Sequence, residues 1–448
     1  MSEELRQRLQ AAGVHSLLVQ FADVHGTAKG KLVPLEHLAD VIRIGAGFAG
    51  PSIWGTGLPR TGPRSEYYAR GDAQTAQPLP WMPGVARIVG DGFVDGQPFE
   101  ACPRQVLRRA TARLAARGWT LRTGIEPEFF LLKRSGDRWQ PADERDRLDK
   151  PSYDLKSLAR QTGFLHALQA ALKAAGLDVL QLDHEDAQGQ YEVNFAHDEA
   201  LRSADHLMLF KLAAHALAEA HGCVFSMMPK PFADQPGSGL HFHVSLWEGA
   251  RCLFDGFDSA AAPAGAPGDA PALGRHFIAG VLAHAPALSA LAAPTVNSYK
   301  RLTVGESLSG TTWAPAYVAH GPNNRTALVR SLPGRFEWRL PDASANPYLA
   351  TAALIAAGLD GIDRRLDPGP ACVDDLFEWP LSRIHAAGIG VLPQSLAQAL
   401  DALEADEVIR SALGATLSTE FLRLKRDEWL AWQRHVSGWE WERYVTAF

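Results

Sequence analysis

The stretch Lys230-Pro-Phe-Ala-Asp-Gln-Pro-Gly-Ser-Gly-Leu-His-Phe-His-Val-Ser245 leads a glycine-rich turn into a segment with histidines at alternate positions, His241 and His243. Side chains alternate along a strand, so residues two apart face the same way. The same spacing recurs in Glu126 with Glu128, Gln190 with Glu192 and Glu337 with Arg339, each among aromatic or aliphatic neighbours. Four strands with polar side chains at alternate positions, drawn from widely separated parts of the chain, predict one sheet whose concave face gathers acids, histidines and an arginine. Such a face is suited to metal and phosphate.

The acids require company. Glu126, Glu128, Glu185 and Glu192 lie beside or near Phe129, Phe130, Val193 and Phe195, and Glu337 sits between Phe336 and Trp338. Burying these carboxylates together is prohibitive unless cations compensate them. Carboxylate oxygens with an imidazole suit Mg2+ or Mn2+, whereas the thiolates that favour zinc are missing from the set. The cationic complement is Arg301, Arg325, Arg330, Arg335 and Arg339, in neighbourhoods rich in Gly, Pro and Asn that read as loops and strand ends. Guanidinium forks grip carboxylate and phosphate oxygens in pairs. Metals flanked by arginines make a phosphoryl-transfer arrangement. The chain has neither a P-loop lysine motif nor a protein-kinase glycine loop followed by His-Arg-Asp, so another device must hold the nucleotide.

The elements that position these residues belong to an ordinary globular chain of 448 residues, 46% hydrophobic and 21% charged, with a formal net charge of -6. A sequence pI near 6.2, without clustered Lys or Arg, argues against nucleic acid or an anionic membrane as the main partner. Cys102, Cys223, Cys252 and Cys372 have no CxxC spacing and read as thiols in a reducing compartment. The start lacks the pattern of a secretory signal, and no apolar run reaches the roughly 18 to 20 residues that span a membrane. A cytoplasmic protein is expected.

Residues 1–102 read as a small mixed domain with a short helix, a strand at His15 to Ala22, a turn at Asp23 to Gly26 and a Gly/Pro-rich stretch from Gly45 to Pro63. Residues 103–448 form the larger domain. Helices are expected at Arg104 to Arg117, Tyr153 to Ala175, Ser203 to His221, Leu273 to Ala292, Pro347 to Asp360, Pro393 to Leu413 and Thr419 to Thr446, with a surface loop at Ser259 to Pro271. Trp429, Trp432, Trp439 and Trp441 on the last helix are expected to serve packing or subunit contact.

The chain resembles the glutamine synthetases, and within them the type III subgroup that includes γ-glutamylmethylamide synthetases. The motifs that carry the resemblance are Gly-Ile-Glu126-Pro-Glu128-Phe-Phe, His184-Glu185-Asp-Ala-Gln-Gly189-Gln190-Tyr-Glu192, Lys230-Pro with Gly237-Ser-Gly239-Leu-His241-Phe-His243, Asn297-Ser-Tyr-Lys300-Arg301, Asn324-Arg325, and Arg335-Phe-Glu337-Trp-Arg339-Leu-Pro-Asp342. The resemblance implies an α+β fold: an amino-terminal β-grasp domain, then a catalytic domain whose curved antiparallel sheet, flanked by helices, forms a funnel open to ATP at one end and glutamate at the other. It implies Glu128, Glu185 and Glu192 on one Mg2+ or Mn2+ ion, and Glu126, His241 and Glu337 on a second. His243, Ser245, Arg330 and Arg335 correspond to nucleotide-contacting residues. Gly237, Arg301 and Arg339 correspond to the glutamate-binding set, and Arg325 to the arginine that meets the transferred phosphoryl group. The implied reaction is ligation of an amine to the glutamate side chain through γ-glutamyl phosphate, with ATP as co-substrate. The implied assembly is a dodecamer of two stacked hexameric rings.

Departures from the family pattern point to the amine. Ordinary members carry Phe-Asp-Gly-Ser-Ser where this chain has Phe48-Ala49-Gly50-Pro51-Ser52, and a flap Glu-Ala-Pro where it has Trp313-Ala314-Pro315. Losing two carboxylates weakens a site for bare ammonium, while methyl and indole surfaces favour an alkyl group. Methylamine is therefore expected, with Ala49 and Trp313 at the amine end. The alternatives are ammonium, with Glu306 restoring the acid, ethanolamine or a polyamine, and a non-catalytic relative. The general base is open, with Glu306 a candidate. Phe377, in Asp374-Asp-Leu-Phe377, stands where some bacterial members carry an adenylylated tyrosine, so that control is not expected.

Overall fold

The computed structural model of the protein describes residues 2–257, 270–305 and 313–448. Glu306 and most of the expected 259–271 loop lie outside the described residues.

Two sheets organise the chain. In the first, Ser16–Ala22 pairs antiparallel with Ala28–Pro34 and parallel with Val85–Val94, which pairs antiparallel with Glu66–Gly71, itself antiparallel to Ala46–Ala49. The helix Leu38–Arg43 packs on it. This mixed order, with a parallel pair at its centre, is that of a β-grasp. Alternate residues Leu17, Val19 and Phe21 are buried, and the Phe21 ring lies 5.0 Å from Phe48 and 4.9 Å from Tyr67, which ties the strand to its neighbours.

The second sheet has eleven strands, and its main path runs Val179–His184, Gln190–Phe195, Thr120–Ser135, Leu240–Glu248, Arg335–Trp338, Val329–Leu332 and His320–Pro322. All neighbours on this path are antiparallel except the final pair. Every polar pair read from the sequence falls on this sheet, though Arg339 stands just past the end of its strand. The alternate positions turn to the other face, where Phe129 packs 5.1 Å from Phe225 and Phe336 packs 5.8 Å from Phe277. Helices Thr162–Ala174 and Ala200–Ala220 cover that face, and Pro347–Arg364 packs against the second of them. Its burial drives the sheet to curl with the polar face inside.

Several expected helices are interrupted where local chemistry breaks the hydrogen-bond ladder. The segment expected at 153–175 is Leu155–Arg160 and Thr162–Ala174, and that at 273–292 is Ala270–Ala283 and Ala285–Ala292, the second carrying Pro286 in its first turn. Asp406 caps a new helix, Glu407–Leu413, by accepting from the Ile409 N–H, which divides the 393–413 segment. The terminal segment is Ala415–Gln433 and Gly438–Tyr444. Trp432, Trp439 and Trp441 are exposed on it, so they do not pack into this chain's core.

Arg104, at the start of the helix Pro103–Ala115, joins the two sheets. It is 3% exposed and reaches Asp91 at 2.8 Å, Asp72 at 3.0 Å and Asp205 at 2.8 Å; the last lies on the helix Ala200–Ala220. Removing one partner of a buried ion cluster leaves charges without compensation. Arg104→Ala is expected to cost about 3 to 5 kcal/mol of stability in guanidinium denaturation. Arg108→Ala, at a side chain 37% exposed beside the same acids, should cost no more than about 1 kcal/mol.

Candidate active site

Strand register builds the site. Across the second sheet Asp183 stands opposite Glu192, and Glu192 opposite Glu128. In the next row Glu126 faces His241, and in the one after it His243 faces Glu337, which faces Arg330. Residues directly opposite in an antiparallel pair project to the same side, so these rows stack acids and imidazoles on one concave surface. Glu185 follows the strand Val179–His184, and its N–H donates to the Gln190 carbonyl across the turn.

The surface lines a cavity of about 710 Å3. Glu126, Glu128, Glu185, Glu192, His241 and Glu337 border it, as do His243, Gly237, Trp313, Arg301, Arg325, Arg330, Arg335 and Arg339. Two expected residues do not. Ser245 lies farther along the His243 strand and its hydroxyl accepts from the Trp247 indole at 2.8 Å, while Ala49 is exposed on the β-grasp sheet.

Among the described residues, three groups of donors lie close enough together for a shared cation: Glu128 with Glu185 and Glu192, Glu126 with Glu192 and His241, and Glu126 with His243 and Glu337. The first is the trio expected from sequence. The second set implied by the resemblance is divided between the other two groups: His241 lies with Glu126 and Glu192, while His243, 3.1 Å from Glu126 and opposite Glu337 in the sheet register, lies with Glu126 and Glu337. His241 remains in the same neighbourhood, with Nδ1 3.5 Å from Glu337.

The donor set fits divalent cations on several counts. Burial, then the charge of Glu128, drives the Glu185 carboxyl well above its ordinary range, and burial with Glu185 does the same to Glu192. Burial and the Glu126 charge lift Asp183 to about 6. Burial followed by the Arg339 charge holds His241 well below the usual imidazole range, in the neutral form that ligates metals. Its Nε2 is buried without a hydrogen-bond partner. Gly239 keeps the cradle open: a Cβ there would stand 2.7 Å from His241 Nε2 and 2.8 Å from Glu128 Oε1.

The opposite wall is cationic. Burial would raise the Glu337 carboxyl, but the Arg339 charge foremost, with the hydrogen bond from Arg330, holds it down to about 2. Arg330 reaches it at 2.8 Å, Arg339 bonds its other oxygen, and Arg335 donates to His243 Nδ1 at 3.1 Å. Arg301 is 6% exposed, is tied to the Leu340 carbonyl at 3.2 Å and lines the same cavity as Gly237.

Sequence reasoning missed Asp183, Asp186, Asn194, Lys150, Ser152 and Tyr153, all of which line the cavity. Asp183 was within reach of the alternation rule, because Gln181, Asp183 and Glu185 share its spacing, as do Glu192 and Asn194. Nothing local marks Asp186 or Ser152. Their place depends on where separate loops meet.

Residues 100–444 match the family model for the glutamine synthetase catalytic domain. The chain is 51% identical over 446 residues to a glutamate–methylamine ligase of Methyloversatilis universalis, covering 99% of each. It is 39% identical to a glutamine synthetase of Rhizobium leguminosarum bv. phaseoli over 98% of each chain. A solved complex of GmaS with ADP superposes with a TM-score of 0.89 at 37% identity, covering 98% of this chain and 99% of that one.

The raised acids set a pH dependence. Glu185 and Glu192 titrate above 4.5, and Asp183 at about 6 against an ordinary 3.8. A folded-state pKa above the unfolded value gives stability that is present at low pH and lost as pH rises through the folded value. Divalent ions bind the ionised carboxylates and release their protons. Adding Mn2+ to metal-free protein should therefore raise the melting temperature little near about pH 5 and increasingly toward about pH 7.5. Glu192→Gln should stabilise the metal-free protein at the upper pH and weaken Mn2+ binding in calorimetry. By sequence and by fold, the chain belongs to the glutamine synthetase family.

Proposed function

We propose that this chain is an ATP-dependent ligase that joins methylamine to the γ-carboxylate of L-glutamate, giving γ-N-methylglutamine, ADP and phosphate. Trp313 carries the choice of amine: an indole borders the cavity where the ordinary family flap carries an acid. An apolar ring surface rewards an alkyl substituent and gives ammonium no ion pair. The full-length likeness to the Methyloversatilis ligase supports the same choice.

The chemistry follows from what a carboxylate lacks. A glutamate side chain resists amines because oxide is a poor leaving group. Attack of its oxygen on the γ-phosphorus of ATP forms an acyl phosphate and releases ADP; the amine then adds to the acyl carbon, its proton is lost, and phosphate departs. In this chain Glu128, Glu185 and Glu192 would hold one divalent ion, and Glu126, His241 and Glu337 a second. Bound Mg2+ or Mn2+ supplies neutralisation of the nucleotide phosphates. His243, Arg330 and Arg335 hold the nucleotide. Arg301, Arg339 and the backbone at Gly237 hold glutamate by its carboxylate oxygens. Arg325, exposed at the cavity, meets the phosphoryl group as charge builds on it.

The β-grasp residues, 1–102, and the catalytic residues, 103–448, act as two domains in a dodecamer of two hexameric rings. Ala49 lies outside its own chain's cavity, which fits a role at the amine end of a neighbouring funnel. The four cysteines are free, in keeping with a cytoplasmic enzyme.

Phosphate release with ATP, glutamate, Mn2+ and a panel of amines tests the proposal. Methylamine should exceed ammonium in kcat/KM by about tenfold or more. Equal or faster turnover with ammonium makes the chain an ordinary glutamine synthetase, faster turnover with ethanolamine or a polyamine makes that amine the substrate, and no turnover with any amine makes it a non-catalytic relative. Arg325→Ala should lower kcat by about 100- to 1,000-fold while ADP binding changes little, as for loss of one donor to transition-state charge.

A further inference from the structure

We infer that Asp186 is a positioning residue that seats Trp313 at the cavity and so sets the preference for an alkylated amine; this rests on the ligase proposed above. Asp186 Oδ2 accepts the Trp313 indole N–H at 2.6 Å, and the Ser152 hydroxyl bonds the other carboxylate oxygen. The Asp186 backbone N–H donates to Glu185 Oε2 at 3.1 Å. From the opposite wall, Arg339 Nη2 donates to the Trp313 carbonyl at 3.1 Å while its other arm engages Glu337. Trp313 is therefore held at its ring by the acidic wall and at its backbone by the cationic one.

The indole has a single donor, Nε1, so fixing that atom fixes the rotation of a ring that is 42% exposed and would otherwise turn freely. A carboxylate acceptor makes this a charge-assisted bond, stronger than a neutral one. With Oδ2 committed to the indole and Oδ1 to Ser152, the Asp186 charge serves the ring rather than a free cation. The ring then offers a constant apolar surface. A methyl group gains burial against that surface; ammonium, strongly hydrated and without carbon, gains only the attraction of the ring for a cation, which methylammonium shares.

Steady-state kinetics of the full-length, Mn2+-loaded enzyme test this with Asp186→Ala, Asp186→Asn, Trp313→Phe and the Asp186→Ala/Trp313→Phe double variant. Losing the bond from either side should raise the methylamine KM about tenfold, and by clearly more than it raises the ammonium KM. Asp186→Asn keeps an acceptor oxygen and should restore most of the methylamine KM. The double variant should be no worse than the worse single one, because both remove the same interaction. Multiplying effects, equal losses with both amines, or an Asn variant as impaired as the Ala variant would overturn the inference. The wild-type amine panel separates the two claims. If wild type prefers ammonium, the ligase reading fails by itself, and non-additivity of the methylamine KM still decides whether Asp186 seats Trp313. Should Asp186→Ala not fold, Trp313→Phe removes the same bond from the other side, and an unchanged methylamine KM in that variant overturns the inference.

Discussion

Mutual repulsion among buried carboxylates governs this molecule. Asp183, Glu192 and Glu128 stand in one row across three strands, with Glu185 beside them. No arrangement of neutral side chains would hold them ionised at this depth, and Glu185 and Glu192 are pressed to keep their protons first by burial and then by that repulsion. The fold tolerates the row because the same sheet buries Phe129, Phe225, Phe242 and Phe336 on its other face. Hydrophobic burial on one side of a sheet thus supports a charged surface that is unfavourable by itself.

Two electrostatic regimes share that sheet. On the strands near Glu185 the carboxyls are pushed upward and call for cations. At the far end Glu337 is pulled down to about 2 by Arg339 foremost, with Arg330, in spite of its burial. The boundary falls between the rows of Glu126 with His241 and of His243 with Glu337, where imidazoles separate the acidic from the guanidinium wall. A polyphosphate laid across this boundary would present its oxygens to arginines on one side and to the proposed ions on the other, while an amine arriving as a cation would be drawn toward the acids.

The sequence made the chemical surface legible because it follows a local rule. Alternation along Glu126 to Glu128, Gln190 to Glu192 and His241 to His243 is enforced by strand geometry wherever the partner strands lie. What alternation could not supply is register. Whether His241 or His243 groups with Glu126 and Glu337 depends on the pairing of Leu240–Glu248 with Arg335–Trp338, set by packing between segments about a hundred residues apart. Helix breaks at Gln161, His284 and Asp406 were obscured for a similar reason, since apolar spacing continues across a cap or a first-turn proline. Ala49 shows a further limit, being recognisable by its motif yet remote from the cavity of its own chain.

Discrimination between ammonium and methylamine is a difference of one methyl group, worth little in burial alone, about 1 kcal/mol. A larger preference requires that the smaller cation lose something as well. Replacing an acid by Trp313 does both, since it removes an ion-pairing partner and adds apolar area. A mobile indole would forfeit the second effect, because a ring that swings aside admits water to the space the methyl group should fill. The bond from Asp186 and the bond from Arg339 answer that requirement from opposite walls. Because the Asp186 N–H also bonds Glu185, and Arg339 also bonds Glu337, the ring is fixed by residues that frame the acidic and cationic regimes, so the proposed amine selection and phosphoryl chemistry would be coupled through shared contacts rather than across empty space.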